Sequence, residues 1–161
     1  MTDRILVLTT GGTLDKEYSL AGELEIGETT VPRLLAPVLT TLEFRVEPIL
    51  AKDSLELDDD DRALIRDRVL AAEEDRIVVT HGTDTMTVTA ESLGAVGDRV
   101  VVLTGAMQPA RMRDSDASFN LGVAVAAVQL LAPGVYVAMS GRILPAGAVV
   151  KDRSAGVFLP A

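Results

Sequence analysis

The sequence predicts an α/β protein: a doubly wound, flavodoxin-like, mostly parallel sheet with helices on both faces and a tail that can add an edge hairpin. Five short runs of Ile, Leu and Val are continuous instead of alternating with polar residues, as strands covered on both faces must be. Amphipathic stretches of helical length separate these runs, giving the order βαβαβαβαβ that right-handed crossovers impose. The 161 residues match a single domain of roughly 150 residues. One domain over 1–161 is therefore expected, with no C-terminal domain after it.

The elements follow in order. Strands are expected at 5–8, 46–50, 77–79, 100–103 and 135–138, and helices at 30–42, 59–72, 84–94 and 115–131. In the second helix Leu64, Ile65, Val69 and Leu70 form one apolar stripe, while Arg62, Arg66, Asp67 and Glu73 face away. The acidic run from Asp58 to Asp61 reads as caps for that helix, because it lacks the alternating ligands and the glycine of a calcium loop. After Met139 the pattern weakens through Gly141, Pro145 and Gly147 to a last apolar run around Val149. The tail adds an edge hairpin or swings onto a partner subunit, and Val149, Val157 and Phe158 suit a subunit contact or an edge cover.

Composition removes several classes of function. With 15 Lys and Arg against 24 Asp and Glu the net charge is −9, which repels phosphate backbones and anionic membranes, so no nucleic-acid or membrane partner is expected. The absence of cysteine excludes disulfides, thiolate metal sites and a Cys nucleophile. Aromatic residues make up only 3% of the chain, too few for a base-stacking surface. No stretch reaches the ~20 apolar residues of a membrane span, and the first residues lack the pattern of a signal peptide. A cytoplasmic protein is expected.

Ligands of open α/β sheets bind beyond the carboxyl ends of the strands, where strand order reverses. In the order 2-1-3-4-5 that point lies between the first and third strands. The turn after the first is Thr9-Thr10-Gly11-Gly12-Thr13, and the turn after the third is Thr80-His81-Gly82-Thr83-Asp84-Thr85. Both hydroxyl-rich turns then face one crevice. The glycines permit close approach of backbone to ligand, or form a tight turn and nothing more; they match neither the phosphate loop nor the dinucleotide fingerprint. Thr83 and Asp84 read either as a helix cap or, for Asp84, as a partner for a substrate ammonium. His81, the only histidine, reads as a structural residue bonded to nearby backbone rather than as a general base.

Taken together, the TGGT of residues 10–13, the HGTDT of residues 81–85 and the Gly105-Ala106-Met107 after the fourth strand resemble the bacterial-type L-asparaginase family. The likeness runs from Leu8 to Lys151 and corresponds to that family's N-terminal, catalytic domain. It implies hydrolysis of the side-chain amide of asparagine, sometimes glutamine, through a threonine nucleophile, with no metal or organic cofactor. Carried over by position, Thr13 matches the attacking threonine and Tyr18 the lid tyrosine that helps activate it. Thr83 and Asp84 match the pair near the attacked carbonyl and the substrate ammonium, and Lys151, one of only three lysines, matches the lysine that joins them. Gly12, Gly82 and Ala106 in the three motifs, with Asp53 and Ser54 after the second strand, are the substrate-contacting positions. The Lys52-Asp53-Ser54 stretch departs from the commoner pattern of serine, polar residue and aspartate, which bears on specificity.

Typical members carry a second domain that contributes an acidic residue to a neighbouring site. A shorter form is expected to close its site as a homo-oligomer. Two other functions fit the same residues: an amidase acting on glutamine or linked to transamidation, and a catalytically silent amino-acid-binding module.

Overall fold

A computed structural model describes residues 3–161. In chain order, β1 (Arg4–Gly11) leads through a 3-10 turn at Thr13–Asp15 into a small hairpin, β2 (Lys16–Tyr18) and β3 (Leu24–Ile26). Then come α1 (Val31–Leu35), β4 (Glu43–Lys52), a second 3-10 turn at Ser54–Glu56, α2 (Asp59–Ala71), β5 (Arg76–Thr80) and α3 (Met86–Ser92). The chain ends with β6 (Val100–Thr104), α4 (Ala117–Leu130), β7 (Gly134–Met139), β8 (Arg142–Pro145), β9 (Val149–Asp152) and β10 (Val157–Pro160).

The main sheet runs β4-β1-β5-β6-β7-β8. Its first five strands are parallel, and β8 returns antiparallel on β7. Counted among the five parallel strands, the order is 2-1-3-4-5, the flavodoxin-like arrangement expected. Each central strand serves two apolar layers, which is why its sequence does not alternate. Leu6, Leu8, Ile77, Val79, Val101 and Leu103 pack with Ile65, Val69 and Met86 on one face. Ile5, Val7, Val78 and Val102 pack with Leu121, Ala124 and Val128 of α4 on the other.

Several expected elements change. The helix expected at 30–42 stops at Leu35, because Pro37 has no N–H to donate to the next helical carbonyl. The stretch 14–21 holds the end of the 3-10 turn and β2, which pairs with β3 alone. Leu64 is exposed on α2, where Ile65 and Val69 carry the burial. Asp58 caps α2, accepting from Asp61 N, while the Asp61 carboxylate accepts from Asp58 N. The tail does not project as a free arm. The two-residue turn Ser140-Gly141, with φ of 53° and 82°, folds β8 back as the edge strand. The β9-β10 hairpin then lies on the α3 side, burying Val149 and Phe158 in the core while Val157 is half-buried. Those two residues are occupied inside the chain and are not free for a subunit contact.

His81 fixes the turn after β5. It is fully buried, and its backbone N–H donates to Thr104 O at 2.9 Å. Nδ1 donates to Gly82 O at 2.7 Å, which leaves Nε2 to accept from Thr89 Oγ1 at 2.8 Å. The ring is thus held neutral between its own turn and α3. Burial, assisted by the charge of Arg62 and opposed by the Gly82 bond, pushes its pKa down to about 4. The unfolded chain therefore binds a proton between pH 6.5 and about 4 that the folded chain refuses. The stability that neutral His81 contributes is complete above pH 6.5 and falls as the pH drops toward 4, by about 3 kcal/mol in all. Urea unfolding of wild type and His81→Gln across that range measures it; parallel pH dependences in the two proteins would assign the loss to other groups.

Candidate active site

The carboxyl ends of β1, β5 and β4 bring three turns into direct contact. Gly12, at φ 77°, lies so close to the turn after β5 that a Cβ there would stand 2.5 Å from both Gly82 N and Gly82 Cα. A Cβ on Gly82 would in turn stand 2.6 Å from the Cβ of Ser54. Both glycines are therefore required by close approach, a stronger role than turn formation alone. Two bonds lock the stack: Gly12 N donates to Lys52 O at 3.0 Å and Thr85 Oγ1 donates to Ser54 O at 2.7 Å.

Lys151 arrives from β9 across α3. Its Nζ donates to Thr83 Oγ1 and to Asp84 Oδ1, both at 2.8 Å. The Lys151 side chain is only 10% exposed and that of Asp84 37%, so an ammonium is held almost out of water beside a carboxylate that still reaches the crevice. The capping alternative for Thr83 and Asp84 does not apply, since the residue preceding α3 is Thr85 and both side chains are spent on Lys151. The other lysines face single acidic partners: Lys16 meets Asp53 at 3.1 Å, and Lys52 meets both oxygens of Asp61 at 2.9 and 2.8 Å.

Thr13 opens the 3-10 turn beside this junction, half-buried, with its hydroxyl free of hydrogen-bond partners among the described residues. Ser54 is buried against Gly82, and its hydroxyl is likewise unpartnered there. The Asp53 carboxylate is divided between Lys16 and the Leu55 amide. Burial raises its pKa, but the Leu55 bond and Lys16 outweigh it and hold the group below the ordinary value. Ala106 is buried in the apolar layer that includes Leu14, so only its backbone is available to a ligand. Tyr18 lies on the outer hairpin with 71% of its surface exposed.

Three residues that shape the site did not emerge from the sequence. Asp15, two residues after Thr13, is buried and accepts from Thr30 N and Thr30 Oγ1 at 2.7 and 2.9 Å, fastening the turn to the start of α1. Burial raises its pKa against the opposing Thr30 bonds. Asn120, fully buried on α4, donates to Gly105 O and accepts from Ser140 N, joining the turns after β6 and β7. Asp116 receives Met107 N, Gln108 N and the Asn120 amide. An asparagine in the otherwise apolar stripe of Ala117, Leu121 and Ala124 is the signal that could have found this network. Among the described residues no cluster of His, Cys, Asp and Glu is arranged to hold a metal, and no helix is long and apolar enough to cross a membrane.

Comparison with known proteins finds relatives of similar sequence and fold. An L-asparaginase of Thermococcus kodakarensis is 34% identical over 161 residues, covering 96% of this chain and 49% of that protein. The solved thermostable L-asparaginase of the same organism superposes with a TM-score of 0.89 at 32% identity, over 98% of this chain and 51% of that one. A glutaminase-asparaginase of Acinetobacter glutaminasificans is 34% identical over 118 residues, 70% of this chain and 34% of that protein. The chain thus spans about half the length of the first two relatives. The asparaginase N-terminal family profile matches residues 4–157, which places the chain in the asparaginase family.

Proposed function

We propose that the chain is an amidohydrolase that converts the side-chain amide of L-asparagine to aspartate and ammonia. The observation that carries this reading is the placement of the Lys151 amine 2.8 Å from Thr83 Oγ1 and 2.8 Å from Asp84 Oδ1, next to the Gly12–Gly82 contact that brings the Thr13 turn to the same crevice. The named activities of the relatives support the same substrate class.

In this reading Asp84 pairs with the α-ammonium of the substrate through its exposed oxygen, and Ser54 with the Gly82 and Ala106 backbones receives the rest of the amino-acid head. The Asp53 carboxylate, held by Lys16, contributes to that pocket through the turn it caps. Thr13 Oγ1 attacks the carboxamide carbon. A threonine hydroxyl is a poor nucleophile until a neighbour takes its proton, and Tyr18, turned inward by movement of its hairpin, supplies that neighbour. The carbonyl oxygen gains negative charge as the C–O bond forms. Gly12 N–H is already spent on Lys52 O, whereas the Thr83 N–H is not committed to another backbone carbonyl. The Thr83 amide is therefore the donor assigned to the oxyanion, a contribution of about 3 kcal/mol in a dry site.

Collapse of the tetrahedral intermediate breaks the C–N bond, and the amide nitrogen leaves as ammonia with the proton taken from Thr13. The remaining ester joins Thr13 Oγ1 to the aspartyl carbon. Water then attacks that carbon, and its proton passes to Thr13 Oγ1 as the ester breaks and aspartate is released; the Lys151 ammonium stays protonated and orients the Thr83 hydroxyl beside the reacting groups. One water is consumed for each ammonia formed, and no metal or organic cofactor enters the balance.

Glutamine is the second substrate this reading admits, because a relative is named for both activities. A binding-only module would use Asp84 but has no need of the Lys151–Thr83 contact. A homo-oligomer and a cytoplasmic location belong to the same proposal; no part of the chain requires an oxidising compartment, since cysteine is absent.

Ammonia release from asparagine and from glutamine, assayed side by side on the purified chain, tests the activity, and asparagine is expected to be the faster. Thr13→Ala and Thr83→Val are each expected to lower kcat at least ~10³-fold with the circular dichroism spectrum unchanged; near-wild-type turnover in either removes that residue's role. Lys151→Met is expected to change the pH dependence of kcat. A profile superimposable on wild type would eliminate Lys151 as the electrostatic partner of Thr83.

A further inference from the structure

The β2-β3 hairpin pairs only with itself, yet two ion pairs tether it. Lys16 reaches Asp53, at the turn after β4, with Nζ 3.1 Å from Oδ2. Its neighbour Glu17 is reached by Arg111, in the loop after β6, with Nη2 3.3 Å from Oε2. Adjacent residues of a strand send their side chains to opposite faces, so consecutive positions can hold in opposite directions. The anchors are far apart in the sheet: between β4 and β6 lie β1 and β5, the two strands whose turns carry Thr13 and Thr83. Three strand intervals of about 4.8 Å separate β4 from β6, roughly 14 Å. At the far end of the hairpin Tyr18, Leu20 and Leu24 are exposed, with no covering partner among the described residues.

We propose that Lys16 and Glu17 are positioning residues that brace the hairpin as a strap across the carboxyl ends of β1 and β5, through Asp53 on one side and Arg111 on the other, and thereby set where Tyr18 stands relative to Thr13. The catalytic consequence rests on the amidohydrolase reading; the brace itself does not. Asp53 then acts through Lys16 and has no direct contact with substrate. Both pairs are partly exposed, with side-chain exposures of 25% and 33% for the first and 31% and 44% for the second. Pairs of this kind bias an equilibrium modestly, which suits a strap that must open for substrate and close again.

Lys16→Met and Glu17→Gln, singly and combined, test the proposal by two readouts: hydrogen–deuterium exchange of the amides in 16–26, and kcat and KM for asparagine. Each single change is expected to speed exchange in that segment and to lower kcat about two- to fivefold, with KM less affected. The combined variant is expected to show about the product of the two. Asp53→Asn, which keeps an acceptor for the Leu55 amide, is expected to match Lys16→Met and to add nothing to it. Glu43→Gln, which removes the exposed Arg4–Glu43 pair on the edge of the sheet, is expected to move neither readout. Wild-type exchange in the combined variant overturns the brace. A lowered Tm with kcat unchanged overturns the positioning role. If the wild-type chain releases no ammonia from asparagine, the amidohydrolase reading fails on its own, and exchange in 16–26 still decides whether the strap exists.

Discussion

An ammonium that is nine-tenths buried must be compensated, because removing a charge from water costs several kcal/mol. Lys151 meets that requirement with one carboxylate and one hydroxyl, and the placement of this group organises much of the fold. Lys151 sits on β9 opposite Phe158 of β10, and Phe158 and Val149 are seated in the apolar layer with Met86 and Ala90 of α3. The tail hairpin therefore carries its lysine over α3 by ordinary hydrophobic packing. The same helix receives the ring of His81 through Thr89. His81 in turn stands two residues before Thr83, so the hydroxyl and the amine that meet it are both referenced to α3.

The second constraint is the thickness of the backbone. Thr13 and Thr83 come from neighbouring strands, but neighbouring strands alone do not bring their turns into contact. Two glycines do: with no Cβ at Gly12 or Gly82, the turns after β1, β5 and β4 stack main chain on main chain. Three hydroxyl-bearing residues, Thr13, Thr83 and Ser54, are thereby gathered around one junction. Thr83 is tied to Lys151, while Thr13 and Ser54 keep unpartnered hydroxyls. That division suits a site in which one oxygen is held ready and two meet a ligand.

How much of this could be read in advance follows from the same physics. The five parallel strands were legible because burial on both faces demands uninterrupted apolar runs, and their alternation with helices implied a doubly wound sheet. The turns after β1 and β5 were legible because glycine and threonine cluster there for reasons that no strand or helix supplies. The β2-β3 hairpin was not: its strands have three residues each and no buried side, so Lys16-Glu17-Tyr18 and Leu24-Glu25-Ile26 show neither periodicity nor a turn motif strong enough to announce a pair. Asp15 and Asn120 were missed for a different reason. Their burial depends on partners 15 and 20 residues away, Thr30 and Ser140, and such pairings leave no local pattern. Lys151 stood out only by resemblance and by the scarcity of lysine.

That scarcity has a structural sense. In a chain of net charge −9 each lysine has been given an acidic partner, and each pair joins segments that the main sheet leaves separate. Lys52 and Asp61 tie the end of β4 to the first turn of α2, and they use the carboxylate that already caps that helix. Lys16 and Asp53 tie the hairpin to the turn after β4. Lys151 and Asp84 tie the tail to the turn after β5. The three differ in burial, with lysine exposures of 41%, 25% and 10% respectively, and burial decides what each can do. The most exposed is screened and serves as a local clasp. The most buried keeps its full electrostatic influence on the Thr83 hydroxyl beside it. The intermediate one belongs to a segment outside the main sheet, where few bonds oppose opening, and local opening is cheapest in such segments. The buried pair thus fixes the tail to the turn after β5, while the half-exposed pair leaves the hold of the hairpin on the turn after β4 easier to release.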